Sequence, residues 1–378
     1  MTAAGGPGAP PPLELGGERL AWSEGWAETP APEEATHGWA HHGLSLLADG
    51  RIVGFHPERA DLLVYEPSGA CVSSFATGLV EGHGITVVEE GGGERIWIAD
   101  PGAKMRRGED GEYRAASAPP ATSAPPAPSG SQPSGSQPWG GQPWGSQPWG
   151  GQVVQFSLAG DVTRRLERPA HPAYDGGCYR PTSVAVDETR FGGSGEIWVA
   201  DGYGESLVHR FAADGAYLAS LDGTEGPGGR LSCPHGIFVD RRRGDPELFV
   251  ADRGNAVVRV YGLDGAWRRD AGRGFLDSPS AFAAWGERTV VAELRARLAV
   301  LDRDEALVGY LGENGEICDS PGWPNSLDPA GHAVRRSDLA PGRFNSPHGL
   351  ATDGAGNVYV AEWLVGGRMV KLEPLPAG

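Results

Sequence analysis

The chain has 378 residues, 39% of them apolar and 12 of them tryptophan, enough to bury a sizeable core as two ordinary domains or as one large all-β domain. A formal net charge of −17 argues against a nucleic-acid partner, whose backbone needs a basic face, and leaves small molecules and peptides open as ligands. Sixty glycines and 32 prolines imply many turns, and no apolar run approaches the ~20 residues of a membrane span.

The opening, Met1 to Pro12, lacks the basic and apolar regions of a secretory leader, so a cytoplasmic protein with no membrane partner is expected. Residues 1–17 read as a disordered tail. Residues 18–374 divide into six units that open at His42, His83, Pro181, Pro234, Ser278 and Pro347. Each holds short β-branched or aromatic runs broken by Asp-Gly, Gly-Asn or Gly-Gly turns, which is the chemistry of strands and hairpins. Four antiparallel strands at a period of roughly 40 to 50 residues predict an all-β fold, a six-bladed β-propeller. Unit six runs out after Leu372 with three strands. The segment Glu18–Trp22 resembles fourth strands elsewhere, such as Tyr217–Leu221, and is predicted to complete blade six and close the ring.

Between the second and third strands of blade two, residues 114–152 carry repeated Gln-Pro-Trp-Gly and almost no aliphatic side chains. Such a run cannot bury a core and is predicted to be a disordered insertion. The repeat reads as a low-complexity expansion, with docking to an aromatic-lined groove the other reading. Four scattered cysteines, Cys71, Cys178, Cys233 and Cys318, show no CxxC spacing and read as free thiols in a reducing compartment.

A short phrase opens alternate blades: Gly82-His83-Gly84, Pro234-His235-Gly236 and Pro347-His348-Gly349. Blades three and five have Thr182 and Ser280 there. Alternate blades of six are related by a pseudo-threefold axis. His83, His235 and His348 are therefore predicted to converge on the axis as a His₃ set for zinc, leaving a fourth position for water or substrate. His42, opening blade one, is read as a fourth ligand, a partner fixing a ligand's tautomer, or channel wall. His56 ends the second strand of blade one at the same mouth. His37, His41, His171, His209 and His332 fall in loops or third strands and are given no role. Second-strand ends deliver Asp201-Gly202-Tyr203 and Asp252-Arg253 to this mouth. Asp100, Asp201 and Asp252 read as bonding turn amides. Tyr203 and Arg253 stand out because the other blades do not share them, and a phenol near Zn²⁺ and a guanidinium is pulled down towards a usable general base.

The units resemble NHL-type propeller repeats. The ordered set GHGITV, ADGYGES, PHGIFVD, ADRGNAVVRVY and SPHGLATD is similar to peptidyl-α-hydroxyglycine α-amidating lyase, over roughly Ser45 to Leu372 without the insertion and the Glu313–Phe344 loop. The resemblance implies zinc at His83, His235 and His348, a catalytic tyrosine at Tyr203 and a catalytic arginine at Arg253. The family's second arginine follows a Phe-His pair; here Phe55-His56 is followed by Pro57, with Arg59 as the substitute. A methionine precedes the last Pro-His in the family where this chain has Ser346. Gly349 stands where the family has an acidic residue for a structural calcium, so that Ca²⁺ site lacks a ligand. Of a family disulfide only Cys178 remains, since Gly204 replaces its partner.

The resemblance implies a substrate ending in an α-hydroxyglycine, peptide or small molecule, cleaved to an amide and glyoxylate by a monomeric enzyme. The other readings are a metal-dependent hydrolase or lactonase on the same scaffold and a non-catalytic NHL propeller that binds proteins.

Overall fold

The computed structural model describes residues 10–116 and 150–376. Six sheets of four or more antiparallel strands follow one another around an axis. Blade one comprises Ser45–Leu46, Ile52–Phe55, Asp61–Tyr65 and Cys71–Ala76; blade two Gly84–Glu90, Gly93–Asp100, Gln152–Ser157 and Val162–Leu166. Blade three comprises Ser183–Val186, Ile197–Asp201, Leu207–Phe211 and Tyr217–Leu221; blade four Pro234–Asp240, Glu247–Asp252, Val257–Gly262 and Trp267–Ala271. Blade five comprises Pro279–Trp285, Arg288–Glu293, Arg297–Leu301 and Leu307–Leu311. In each blade the first strand is innermost, and first strands touch their neighbours around a complete circuit.

The predicted closure is present. Pro347–Thr352, Val358–Glu362 and Arg368–Pro374 of blade six are joined by Glu18–Glu24, which pairs antiparallel with Arg368–Pro374. A fifth strand, Leu13–Leu15, lies outside it, in a stretch expected to be a disordered tail. Gly16 and Gly17, at φ 56° and 85°, form the two-residue turn that folds it back. The insertion in blade two also begins with structure: Lys104–Arg107 pairs with Tyr113–Ala116, and Gln152 already belongs to the third strand. The rest of the expected disordered run, 117–149, lies outside the described residues, as do 1–9.

The core is six cores, one per blade interface. Period-2 strands put alternate side chains on the two faces of each blade, and each face packs on a neighbour. In blades two to six the residue three before the acid that ends the second strand aims at the following blade. Trp97 packs on blade three, Trp198 on blade four, Phe249 on blade five, Val290 on blade six and Tyr359 on blade one, all at most 1% exposed. Each such buried side chain contributes on the order of 2–3 kcal/mol. The four cysteines are free thiols. Among the described residues no helix is long and apolar enough to cross a membrane.

Candidate metal centre

The recurring His-Gly phrase has a geometric cause. His83 Nδ1 lies 2.6 Å from the carbonyl oxygen of Thr182 in blade three. His235 Nδ1 lies 2.8 Å from that of Ser280 in blade five, and His348 Nδ1 lies 3.3 Å from that of His42 in blade one. The glycine after each histidine makes room for the same oxygen. A Cβ on Gly84 would stand 2.4 Å from Thr182 O, on Gly236 2.4 Å from Ser280 O, and on Gly349 2.5 Å from His42 O. Each carbonyl can only accept, so each Nδ1 carries the proton and each Nε2 is left as a lone pair.

Those lone pairs point to one place. The Tyr203 hydroxyl lies 2.9 Å from His235 Nε2, 3.2 Å from His83 Nε2 and 3.0 Å from His41 Nε2. His348 Nε2 is 3.3 Å from His235 Nε2. The four histidines are buried, and their ligand atoms all lie within 4.8 Å of one another. Burial holds all four imidazoles well below the usual histidine range, hence neutral, and the Arg253 guanidinium adds to this. Three lone pairs thus meet at a phenol that brings one proton, with the fourth, on His348, against that of His235, an arrangement a cation would satisfy. Zinc takes nitrogens at about 2.0–2.1 Å, so two ligands at a tetrahedral angle sit about 3.3–3.4 Å apart, close to the His235–His348 spacing. The four histidines could therefore bind a metal ion.

Tyr203 and Arg253 occupy equivalent turns. The Tyr203 amide bonds Arg180 O and the Arg253 amide bonds Cys233 O, both at 3.3 Å. The acids before them fix the turns: Asp201 accepts from Arg180 N, Glu205 N and the Tyr174 hydroxyl, and Asp252 from Ser232 N, Asn255 and Arg259. Asp100 likewise takes the amides of Val80, Glu81 and Gly102. Arg253 is buried; its Nη2 lies 3.4 Å from the Tyr203 hydroxyl and 3.2 Å from Cys233 Sγ. Its Nε and Nη1 have no partner among the described residues. Burial pushes the Tyr203 phenol above its ordinary range, and Arg253 opposes this.

The other expected residues, His42, His56 and Arg59, lie outside the four-histidine cluster and line a small cavity beside it with His41, Glu81 and Lys104. Arg59 reaches Asp61 at 3.1 Å and Glu34 at 3.9 Å, so it is engaged at the rim of blade one. His56 bonds Pro30 O through Nε2 and receives the amides of Glu58 and Arg59 on Nδ1, which makes it a loop fastener. His42 turns its ring away from the cluster, with Nδ1 3.0 Å from Gly43 O, and serves the site through its carbonyl. Burial lowers its imidazole to about 4.

His41, given no role from sequence, is the fourth member. It precedes the residue that opens blade one and has no counterpart in the repeat. The signals were the His-His doublet in a blade that should carry none, and an acid, Glu81, directly before Gly82-His83. Glu81 Oε2 lies 3.2 Å from His41 Nδ1, and Lys104 Nζ lies 3.4 Å from Glu81 Oε1, all three buried.

An axial cavity of about 310 Å³, walled by the first strands, reaches His83, His235 and His348 from the side of the ring away from Tyr203 and His41.

No protein-family model matches this sequence, and no curated protein matches it. Solved structures do match. A streptogramin B lyase structure aligns at TM-score 0.51 and 12% identity, covering 94% of this chain and 98% of that one. A catalytically inactive virginiamycin B lyase from Staphylococcus aureus with quinupristin aligns at TM-score 0.52 and 12% identity, covering 94% and 100%. At that identity the likeness shows a shared fold, and this chain is a six-bladed member of the β-propeller architecture.

Proposed function

We propose that the protein is a metal-dependent lyase that cleaves an N-acyl-α-hydroxyglycine, R–CO–NH–CH(OH)–COO⁻, to the amide R–CO–NH₂ and glyoxylate. One observation carries the reading: three histidines from alternate blades gather their ligand atoms in one buried cluster with His41, and the Tyr203 phenol touches two of the three, His83 and His235, beside a buried guanidinium whose Nε and Nη1 have no partner among the described residues. The resemblance of the ordered motifs to the amidating lyases supports the substrate class. The neighbours' names include lyases, but at 12% identity they speak for the fold alone.

His83, His235 and His348 would hold the ion, which when bound supplies Lewis acidity to the substrate's hydroxyl or carboxylate oxygen. Tyr203 is the proton carrier. Its hydroxyl is within 3.2 Å of three imidazole lone pairs; burial holds the phenol above its ordinary range, and Arg253 works against that. As phenolate it removes the hydroxyl proton of the carbinolamide. The C–O oxygen becomes the glyoxylate carbonyl, the C–N bond breaks, and the proton passes to the amide nitrogen. Arg253, whose Nε and Nη1 have no partner among the described residues, binds the substrate carboxylate and stabilises charge as it develops.

The test is metal analysis of untagged protein together with glyoxylate release from a panel of α-hydroxyglycine amides. Stoichiometric zinc and metal-dependent glyoxylate release are expected. Tyr203→Phe should abolish turnover while the metal stays bound, and an unaffected rate would remove Tyr203 from the mechanism. Absence of stoichiometric metal would favour a non-catalytic binding scaffold.

A further inference from the structure

The proposed reaction uses three histidines and leaves His41, Glu81 and Lys104 unexplained, although all three are buried at the same centre. We propose that His41 is a fourth nitrogen donor to the ion and that Glu81 and Lys104 are its positioning residues; this rests on the metal reading above.

His41 Nε2 belongs to the set of nitrogens that all lie within 4.8 Å of one another. Its ring centroid is 4.5 Å from those of His83 and His348. Its proton is placed by the same logic as the others, with a different acceptor. The other three give Nδ1–H to a backbone carbonyl of the next blade, whereas His41 faces the Glu81 carboxylate at 3.2 Å. A carboxylate behind an imidazole fixes the tautomer and makes Nε2 a better donor. A carboxylate buried without a counter-charge is costly, and here Lys104 supplies it, with Nζ also 3.1 Å from Trp39 O.

Lys104 enters from outside the ring. It opens the hairpin Lys104–Arg107/Tyr113–Ala116, the start of the blade-two insertion. That hairpin is tied to the segment before His41 by Tyr113, whose hydroxyl donates to His37 O at 2.6 Å, and to Glu58 by Arg106 at 2.8 Å. So the hairpin that leads into the insertion is part of the metal centre's support. His41, His83, His235 and His348 would then hold the ion, and a substrate oxygen would be a fifth donor, a number zinc sites tolerate.

The full-length protein, stripped of metal and titrated with Co²⁺, tests this through its ligand-field absorption and its Co²⁺ affinity. His41→Ala should weaken binding by more than about tenfold and change the spectrum. Glu81→Gln and Lys104→Met should keep the spectrum but weaken binding by about 10–100-fold, as for other partners behind a ligand. If His41→Ala binds Co²⁺ with wild-type affinity and spectrum, His41 is no ligand and the three-histidine site stands. If wild-type protein binds no Co²⁺, the metal reading falls and takes this one with it. Should His41→Ala fail to fold by near-UV circular dichroism, His41→Gln is judged by the same two readouts.

Discussion

Blades two, four and six differ from blades one, three and five in what they send to the axis. At the entry of the first strand, even blades send an imidazole and odd blades a carbonyl oxygen that holds that imidazole's Nδ1. From sequence, Thr182 and Ser280 look like places where the histidine is missing. In the structure they are the other half of the same device. The lesson is that a side-chain signal at alternate repeats can rest on a main-chain role in the repeats between. The two sets should therefore respond differently to substitution.

The largest expected effect is at the contact where an even blade meets an odd one. Gly236→Ala would put a methyl 2.4 Å from Ser280 O, the oxygen that holds His235. Overpacking of this kind costs about 1–3 kcal/mol. Displacing the carbonyl should also weaken metal binding about 10–100-fold. Gly354→Ala, where a Cβ meets nothing within 4 Å, is the control and should change neither. Thermal melts and metal titration read both quantities. Equal behaviour of the two variants would mean that the glycine does not serve the histidine.

Acidification should distinguish the blades next. His83, His235 and His348 have folded-state values well below the usual histidine range because they are buried. As pH falls through the ordinary histidine value of about 6.5, the unfolded chain takes up protons and the folded chain does not. Their contribution is thus present above that value and lost below it. Asp201, raised to about 7 by burial, works in the opposite direction over the same range, so the comparison must be between variants. Metal-free His348→Gln should lose stability less steeply than metal-free wild type between about pH 7 and 5. Parallel curves would show that His348 titrates normally.

Much of this was legible because it is local or periodic. Strand runs, Gly-containing turns and the closing strand Glu18–Glu24 follow from the pleat and from turn chemistry. His83, His235 and His348 follow from symmetry. The strand Leu13–Leu15 was hidden because three residues show no period, although Gly16-Gly17 marked its turn. His41 was hidden because it stands outside the repeat and acquires its place from Glu81, a residue 40 positions away. Arg59 was reached by counting along a motif, which says nothing of its partners. Phe55-His56 is preserved, and Arg59 pairs with Asp61, a contact that no motif announces.

The smallest expected effect sharpens the comparison most. Thr182 uses its hydroxyl on the carbonyls of Pro234 and His235, at 3.0 and 2.9 Å, and its own carbonyl on His83. Valine removes the first role and keeps the second. Thr182→Val should therefore lose about 1 kcal/mol of stability, the usual worth of one hydrogen bond, while metal binding stays at the wild-type level. A matching loss of metal affinity would show that the odd blades act through their side chains as well. Unchanged affinity would leave the carbonyl as their contribution, because that oxygen is the one feature Thr182, Ser280 and His42 have in common at the axis.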